Sequence, residues 1–431
     1  MKLYRRSMAA AVALAVGCAN GVAYGSGFQL MEQNASGLGN AYAGQAAAVE
    51  NASTVFFNPA GMTRIPGRQA VLAVNAIGPS AEFSNSGGST APLGLPSPGG
   101  NGGDAGGWAA VPNAYLTWQL APQLWFGLGL SVPFGLKTEY DQRWVGRFQS
   151  QNSEIKTVDV NPSIAYKVNE VLSLGAGISY QRAEVKVDRS AILVPPAESR
   201  AQIDIDDSQW GFNLGVLVNL SPGTRIGLTY RSAMDYELTG NIRFSNVPVL
   251  GTATNGVRAS AQLPDTISWA VAHAFNPRWE MLADITYTRW SKLKAVPLVT
   301  TSASAVVPAS GVTLDTFNFQ FKDSYRVGVG VNYKWSDAFT LKLGAAYDKS
   351  PVEDRFRLTF LPDSDRTWLA IGAQYRMSKQ ATLDIGYAHL FVKDGSINQQ
   401  RGVAALPLQG NVIGNYDNHV NIVSAQFSYS F

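Results

Sequence analysis

The sequence has one cysteine, little charge and no long apolar run. Charged residues make up 15% of the 431 positions, against about 25% in ordinary soluble domains. No stretch of 18 apolar residues is present, so the sequence offers no candidate transmembrane helix. Aromatic residues reach 11% and there are 42 glycines. This composition argues against a disordered chain and against a coiled coil.

Three basic residues near the N-terminus account for the whole net charge of +3. Lys2, Arg5 and Arg6 precede an apolar stretch at residues 8–17, and small residues flank Tyr24 on both sides. This pattern predicts a secretory signal peptide over residues 1–25, which would be cleaved before Ser26. The remaining 31 basic and 31 acidic residues balance, so a basic surface for nucleic acid is not expected.

Cys18 leaves a second interpretation of this segment open. Residues 15–18 loosely resemble a lipoprotein processing site, although Ala15 stands where a bulkier aliphatic residue is usual. Cleavage after Gly25 would leave a mature chain without cysteine. That excludes a disulfide framework, a cysteine nucleophile and thiolate metal sites.

The three histidines are His273, His389 and His419, each on a different predicted strand. The sequence shows no carboxylate-rich or histidine-rich cluster with the spacing of a metal site. Ser268 and His273 fall on opposite faces of one predicted strand, which argues against a barrel lipase. We therefore expect no metal, no cofactor and no enzymatic activity.

From about residue 67 onward, residues alternate with the period of a β-strand. In residues 325–333 every second side chain is Tyr or Val, while Arg, Gly and Asn lie between them. Residues 124–130, 212–218 and 339–347 show the same alternation. An apolar face opposite a small or polar face suits a wall between lipid and a polar lumen. Aromatic residues near the strand ends suit the two membrane interfaces.

The predicted strands are joined alternately by short and long connections. Six short turns alternate with seven long loops near residues 85–106, 133–153, 190–204, 245–258, 293–315, 349–364 and 393–417. Outer-membrane barrels have short periplasmic turns and long extracellular loops. The sequence therefore predicts an all-β, transmembrane antiparallel barrel of 14 strands over residues 67–431. We expect a monomer in the outer membrane of a Gram-negative bacterium, surrounded by lipid and lipopolysaccharide and without a nucleic-acid partner.

The last predicted strand ends in alternating aromatic residues, Phe427, Tyr429 and Phe431. This ending resembles the signal by which the barrel-assembly machinery recognises its substrates. The alternative is an aromatic girdle at the membrane interface. Both interpretations favour an outer-membrane barrel.

One strand changes phase near Gln181. Even positions up to Tyr180 are mostly apolar, whereas Arg182 and the even positions after it are charged. Either a β-bulge lies near Gln181, or the strand leaves the membrane there. We favour the second interpretation.

Residues 26–66 do not alternate. The i,i+4 spacing of Leu38 and Tyr42 suggests a short helix, and Asn58 before Pro59 is a helix-start signal. About forty residues of small, apolar and amide side chains cannot form an independent core. A barrel of 14 strands leaves a lumen that its own side chains do not fill. We therefore expect this segment to be a hatch inside the barrel.

Six motifs stand out along the chain, at residues 27–30 (GFQL), 36–44 (SGLGNAYAG), 58–60 (NPA), 144–148 (WVGRF), 161–168 (NPSIAYKV) and 361–368 (LPDSDRTW). In this order they resemble the FadL/TodX family of outer-membrane transport proteins for long-chain fatty acids and other hydrophobic compounds. Together they span the mature chain. The resemblance implies a 14-stranded barrel with an N-terminal hatch. It also implies ligand capture outside, transfer to an internal pocket, and lateral exit through the wall. Phe28 matches a position tied to pocket opening, and Asn58, Pro59 and Ala60 match the hatch signature.

Cations on the inward phase are candidates for contacts with a ligand head group. They are Lys167, Arg231, Arg326, Lys334 and Lys342. The alternative is that each forms a lumenal ion pair between barrel and hatch, for which Asp284, Asp348 and Asp384 are the available acids.

A second candidate site lies in a long loop, where Arg143 and Arg147 flank Trp144. The loop is either a landing site for ligand or an exposed loop held by an aromatic anchor.

These patterns favour an outer-membrane channel for passive uptake of long-chain fatty acids or other hydrophobic small molecules. Ligand capture, rearrangement of the hatch and lateral exit would be its steps. An inert structural or adhesive barrel and a general porin are the alternatives. The hatch argues against a porin, because it would block the flow of water.

Overall fold

The computed structural model describes residues 26–399 and 409–431, and most of them lie in antiparallel strands. The predicted signal peptide and Cys18 lie outside the described residues. The strands are β1 (Arg68–Asn85), β2 (Ala109–Ala121), β3 (Leu124–Ser131), β4 (Gly135–Glu139), β5 (Asn152–Lys167), β6 (Leu172–Val194), β7 (Ala197–Ser221), β8 (Thr224–Arg231), β9 (Met234–Val247), β10 (Gly251–Leu263), β11 (Thr266–Ala274), β12 (Trp279–Thr288), β13 (Ala295–Thr300), β14 (Thr313–Asn318), β15 (Ser324–Lys334), β16 (Phe339–Asp348), β17 (Arg366–Arg376), β18 (Ala381–Val392), β19 (Gly395–Gln399) and β20 (Val412–Ser430).

The helices are short. Two are α-helices, Gln45–Ala48 and Thr54–Phe57. The 3₁₀-helices are Leu38–Asn40, Pro59–Arg64, Pro92–Gly94, Trp290–Lys292 and Asp354–Phe356. Within the described ranges, no helix is long and apolar enough to cross a membrane.

Fourteen of the described strands pair around a closed antiparallel barrel. Their order is β1, β2, β3, β5, β6, β7, β8, β11, β12, β15, β16, β17, β18 and β20. The last strand closes the barrel by pairing with the first, from Gln69↔Ser430 to Asn85↔Gly414. The predicted fold of 14 antiparallel strands is confirmed.

The wall has an apolar outer face and a lumenal face rich in glycine. On β15, Val327 and Val329 point outward and are exposed, whereas Gly328 and Gly330 face the N-terminal segment. A Cβ atom at Gly330 would lie 2.9 Å from the Cβ atom of Asn40. The inward glycines therefore leave room for the backbone of that segment against the wall.

Several predicted loops are in fact strands that extend above the membrane. The intervals 190–204 and 245–258 lie mostly in β6, β7, β9 and β10, and β9 pairs with β7 from Arg200↔Ser245 onward. The interval 293–315 contains β13 and the start of β14, and 393–417 contains β19. The predicted long connections are present, but several contain paired strands, which alternate with the opposite polarity to the membrane wall.

The phase change near Gln181 occurs without a shift in strand register. The β6–β7 register runs from Tyr180↔Trp210 through Gln181↔Gln209 to Arg182↔Ser208 without a shift. The bulge is therefore excluded, and that the strand leaves the membrane near Gln181 stays a prediction. Above this level Ala183 and Val187 point inward and are buried, because they pack against an apolar core between the extracellular strands.

Residues 26–66 lie within the barrel, where their helices contact strands on opposite sides. The helix Leu38–Asn40 contacts β15 to β18, and the helix Pro59–Arg64 contacts β3, β5, β6 and β7. The prediction of one helix carrying both Leu38 and Tyr42 is wrong. That helix ends at Asn40, because Ala41 and Tyr42 adopt left-handed backbone conformations with φ of 48° and 57°. We call residues 26–66 the hatch.

Candidate ligand passage

Phe28 lies in the part of the hatch that faces the extracellular core. Its ring is 2% exposed and packs edge-on against Trp290 at 4.9 Å and against Phe134 at 5.9 Å between centroids. Trp290 in turn packs against Phe321 at 5.5 Å. The segment is held beside Phe28 by the Gly27 amide, which donates to Asp363 Oδ2 at 2.9 Å. Phe28 therefore closes the lower end of an aromatic cluster.

The barrel wall is interrupted between β2 and β3 close to Phe28. The β2–β3 ladder begins at Ala114↔Leu130, and β4 beyond it pairs with β5. Among the described pairings, residues 109–113 of β2 therefore have no partner on β3 or β4. Pro133 lies in the break and has no amide hydrogen to donate to a ladder.

The hatch covers this interruption from inside. The Leu30 amide donates to the Pro133 carbonyl at 2.8 Å, and the Gly135 amide donates to the Phe28 carbonyl at 2.9 Å. The Asn113 side chain of β2 donates to the Glu32 carbonyl at 3.0 Å. Hatch atoms thus replace the missing cross-strand bonds, and a movement of this segment would open the wall.

The turn at Asn58 joins two parts of the hatch to the barrel. Its Oδ1 accepts from the Ala60 amide at 3.1 Å, as expected of a residue that caps a helix beginning with Pro59. Its Nδ2 donates to the Ala46 carbonyl at 2.7 Å and to the Val216 carbonyl of β7 at 3.0 Å. The predicted helix start at Asn58 and Pro59 is confirmed as a 3₁₀-helix.

The model of one protein family, outer membrane protein transport proteins (OMPP1/FadL/TodX), matches residues 16–431. The chain belongs to this family.

Curated relatives in the family match almost the whole chain. The long-chain fatty acid transport protein of Escherichia coli (strain K12) is 30% identical over 429 residues, covering 90% of this chain and 93% of its own. Outer membrane protein P1 of Haemophilus influenzae is 29% identical over 474 residues and covers 100% of both chains. The chain is therefore an outer-membrane protein whose relatives carry the names of transport proteins.

Solved structures in the family share the fold. A Pseudomonas aeruginosa FadL homologue has a TM-score of 0.85 at 24% identity, covering 94% of this chain and 100% of its own. The Pseudomonas putida toluene transporter TodX has a TM-score of 0.68 at 15% identity, covering 92% and 98%.

In this FadL/TodX-family barrel, three of the predicted inward cations contact the hatch. Arg231 donates to the Phe56 carbonyl at 3.0 Å. Arg326 donates to the Ala41 carbonyl and pairs with Asp284 at 3.2 Å. Lys342 donates to the Ser36 carbonyl at 2.8 Å. Each is also engaged with an acid, so these contacts match the ion-pair interpretation more closely than the head-group one.

The other two predicted cations lie at the periplasmic rim. Lys167 pairs with Glu170 at 2.8 Å, and Lys334 pairs with Asp337 at 3.2 Å. The structure therefore does not bring Lys334 together with Arg231, Arg326 and Lys342.

The loop at residues 143–147 is held by a buried aromatic anchor. Trp144 stacks on Tyr140 at 3.9 Å and its Nε1 donates to the Ser150 carbonyl at 2.7 Å. Arg147 binds Glu198 through two hydrogen bonds of 2.7 and 3.1 Å. Only Arg143 of the three candidates is exposed, so it alone is placed to meet a ligand from outside.

Arg189 is a candidate site residue that the sequence reasoning missed. It is 0% exposed and its Nη1 donates to Asp315 at 2.7 Å. Its Nε and Nη2 have no hydrogen-bond partner among residues 26–399 and 409–431. The alternation of the strand could have identified it. Arg189 shares the inward face with Ala183 and Val187, where an apolar residue would be expected.

A cavity of about 70 Å³ lies between the hatch and the wall. Met31, Phe56 and Phe57 line one side, while Arg231 and Ser268 line the other. It could hold about two water molecules at ~30 Å³ each. A hydrophobic ligand would therefore have to displace hatch side chains to enter. No group of three metal-ligating side chains was found in the described part of the chain.

Proposed function

We propose that this barrel is a passive channel through which long-chain fatty acids or similar hydrophobic molecules cross the outer membrane. Its family membership and the names of its relatives support uptake of hydrophobic compounds. Binding of such compounds requires burial and no chemistry, so no enzymatic step is part of the proposal.

The observation that carries the proposal is a continuous apolar core above the hatch. One cluster of buried side chains connects the extracellular strands to Phe28. Its members include Ile203, Ile242, Phe244, Leu298, Phe321 and Phe360. A ligand that enters this core replaces some of these side-chain contacts with its own. Each of its CH₂ groups is then stabilised by about 0.8 kcal/mol relative to water. A long acyl chain can thus enter this core without a large net cost.

Phe28 and the turn formed by Asn58, Pro59 and Ala60 would gate the passage. Phe28 ends the apolar core and its backbone bridges the interrupted wall. The Asn58 turn ties the other end of the hatch to β7. Displacement of Phe28 by a ligand would release the bonds to Pro133 and Gly135, which opens the wall between β2 and β3 for lateral exit.

Arg189 would hold the carboxylate of a fatty acid. Its two unpartnered donors are buried on a strand whose inward residues Val187 and Ala191 belong to the apolar core, and a charge-assisted hydrogen bond there contributes about 1.5–3 kcal/mol. Arg231, Arg326 and Lys342 would act mainly as hatch anchors. Arg143 would make the first contact at the surface, with Trp144 and Arg147 fixing its loop.

The proposal for Arg189 is tested by comparing ligands with and without a carboxylate. Removing Arg189 alone would take the cation away from the buried Asp315 carboxylate, which also accepts from Gln409, so both members of the ion pair are replaced in Arg189→Met/Asp315→Leu. This variant should lose binding of oleate by tenfold or more while binding of the matching alkene is retained. Equal loss for both ligands would show that the core has collapsed, and no loss would exclude Arg189 as the head-group site.

A general porin and an inert barrel predict different measurements. In a planar bilayer a porin gives large steady conductance, whereas a plugged channel is nearly silent. An inert barrel is also silent but would not restore growth on hydrophobic carbon sources to a strain that lacks the gene. Silence together with restored growth supports the proposed channel.

The surroundings in the membrane are part of the same proposal. We expect a monomer in contact with outer-membrane lipid and lipopolysaccharide. We also expect the barrel-assembly machinery to recognise the strand that ends at Phe431. Phe431 is 69% exposed beside Tyr429, which leaves both rings accessible at the periplasmic rim.

A further inference from the structure

The periplasmic rim carries an uneven distribution of charge. Along the arc from the β11–β12 turn to the start of β1, the basic side chains are Arg278, Lys334, Arg376, Lys379 and Arg68. Asp337 and Glu280 are the acidic side chains of that arc, and Glu280 pairs with Arg225 of the other arc at 2.7 Å. On the other arc, Lys167 faces Glu170. One half of the rim is thus basic and the other is balanced.

Most cations of the basic arc are available to a partner. Lys334 pairs with Asp337 at 3.2 Å. Arg278, Arg376 and Lys379 are exposed and have no ion pair with any residue in the described ranges. Backbone bonds hold the neighbouring turns together, because the Lys334 amide donates to the Arg278 carbonyl at 2.8 Å. The arc therefore presents several fixed positive charges at one level.

An apolar groove of about 720 Å³ on the outer wall begins at the same turns. Phe275, Asn276 and Trp279 line its periplasmic end, directly beside Arg278 in the sequence. Val329 and Leu369 line its far end in the membrane wall. The groove runs from the level of the cations toward the middle of the bilayer.

The groove follows from small residues on the outward face. Ala345 lies opposite Val329 on β15 and Leu369 on β17, where neighbouring outward positions such as Leu343 carry larger side chains. Ala345 lines the groove, and its small side chain leaves a trough between Val329 and Leu369.

We propose that this groove and the basic arc bind an anionic phospholipid of the inner leaflet of the outer membrane. One acyl chain would lie in the trough over Ala345, and the phosphate with its acidic headgroup would meet Arg278. Trp279 and Trp335 lie at the same interface with exposures of 44% and 67%, which suits amphipathic rings at the headgroup level. Charge selects an anionic lipid over a zwitterionic one, because a cation near a membrane surface attracts only net negative headgroups.

Lipid retention on the intact protein tests this proposal. The protein is taken from bilayers of equal phosphatidylglycerol and phosphatidylethanolamine, and bound lipids are counted by native mass spectrometry. We expect about fivefold preference for phosphatidylglycerol, the ratio given by about 1 kcal/mol between one basic residue and an anionic headgroup. Arg278→Gln should reduce this preference to near unity. Lys167→Gln removes a cation from the other arc and should leave it unchanged.

A second variant tests the groove itself. Ala345→Trp fills the trough from outside the barrel and should reduce retention of both lipids, while heat-modifiable migration on a gel shows that the barrel is folded. Equal retention of the two lipids by the natural protein would overturn the proposal. So would an equal effect of Lys167→Gln, which would indicate diffuse charge attraction. A stable dimer without bound lipid would show instead that the groove is a contact between copies.

Discussion

Replacing Phe28 by alanine should loosen the closed state of the hatch while leaving the barrel intact. Phe28 is 2% exposed and touches two aromatic rings at 4.9 and 5.9 Å. Removing a buried phenylalanine costs about 3–5 kcal/mol in a core that does not collapse. The substitution leaves the hydrogen bonds between the wall strands in place. The lost free energy is therefore that of the docking of the hatch in the barrel.

The expected shift follows from that cost. If the open hatch leaves position 28 solvated, Phe28→Ala moves the equilibrium between closed and open states by about 10²- to 10⁴-fold. Partial burial of the ring in the open state would reduce this factor. The frequency of brief conductance steps in a planar bilayer should rise with this shift. Uptake of oleate should become less dependent on the concentration of oleate.

Phe244→Ala provides the matched control. Phe244 is equally buried in the same apolar cluster but lies on β9 above the membrane, so it should lower thermal stability without raising the opening frequency. Surface levels and heat-modifiable migration must equal those of the natural protein in both variants. The gating role of Phe28 is refuted if opening frequency and uptake are unchanged in Phe28→Ala, or if Phe244→Ala raises the opening frequency as much.

Three further predictions concern the docking of the hatch. A cysteine at Ala60, which is 0% exposed, should resist a bulky membrane-impermeant thiol reagent in intact cells, and rapid labelling from outside would contradict the closed hatch. Gly215→Ala should speed the labelling of the cysteine at position 60, because the new Cβ atom would overlap the Asn58 side-chain oxygen. An unchanged labelling rate would show that the hatch accommodates the new Cβ atom and stays docked. Burial raises the pKa of Glu32, a hatch residue, to about 7. Its protonated form stabilises docking below its ordinary pKa, and this contribution is lost as pH rises toward 7. Labelling of the cysteine should therefore accelerate between pH 5 and about 7, and Glu32→Gln should flatten that profile; a slope that persists in Glu32→Gln assigns it to another group.

The barrel could be predicted from the sequence because its wall repeats a simple local rule. In residues 325–333 each outward side chain is Tyr or Val, and the same alternation recurs on strand after strand. The six short turns then set the number of strands. Asn58 and Pro59 are also local signals, since a cap and a fixed φ act within three residues.

The extracellular strands and the partners of the lumenal charges could not be predicted in the same way. In β9 and β10 the inward face is apolar and the outward face is polar, so these strands lack the alternation that identifies a strand of the membrane wall. The bond between Arg189 and Asp315 joins residues 126 positions apart. Alternation shows that Arg326 and Lys342 point inward, but their contacts with Ala41 and Ser36 depend on how the hatch folds inside the barrel.

The inward glycines also constrain the order in which the molecule can assemble. The Cα atom of Gly39 would lie 2.7 Å from a Cβ atom at Gly372 of β17, while the Asn58 turn binds β7 on another side of the lumen. Such a close fit leaves no space for residues 26–66 to thread into a finished cylinder. We therefore expect the N-terminal segment to be in place before β1 pairs with β20. The sheet would then close into a barrel around this segment.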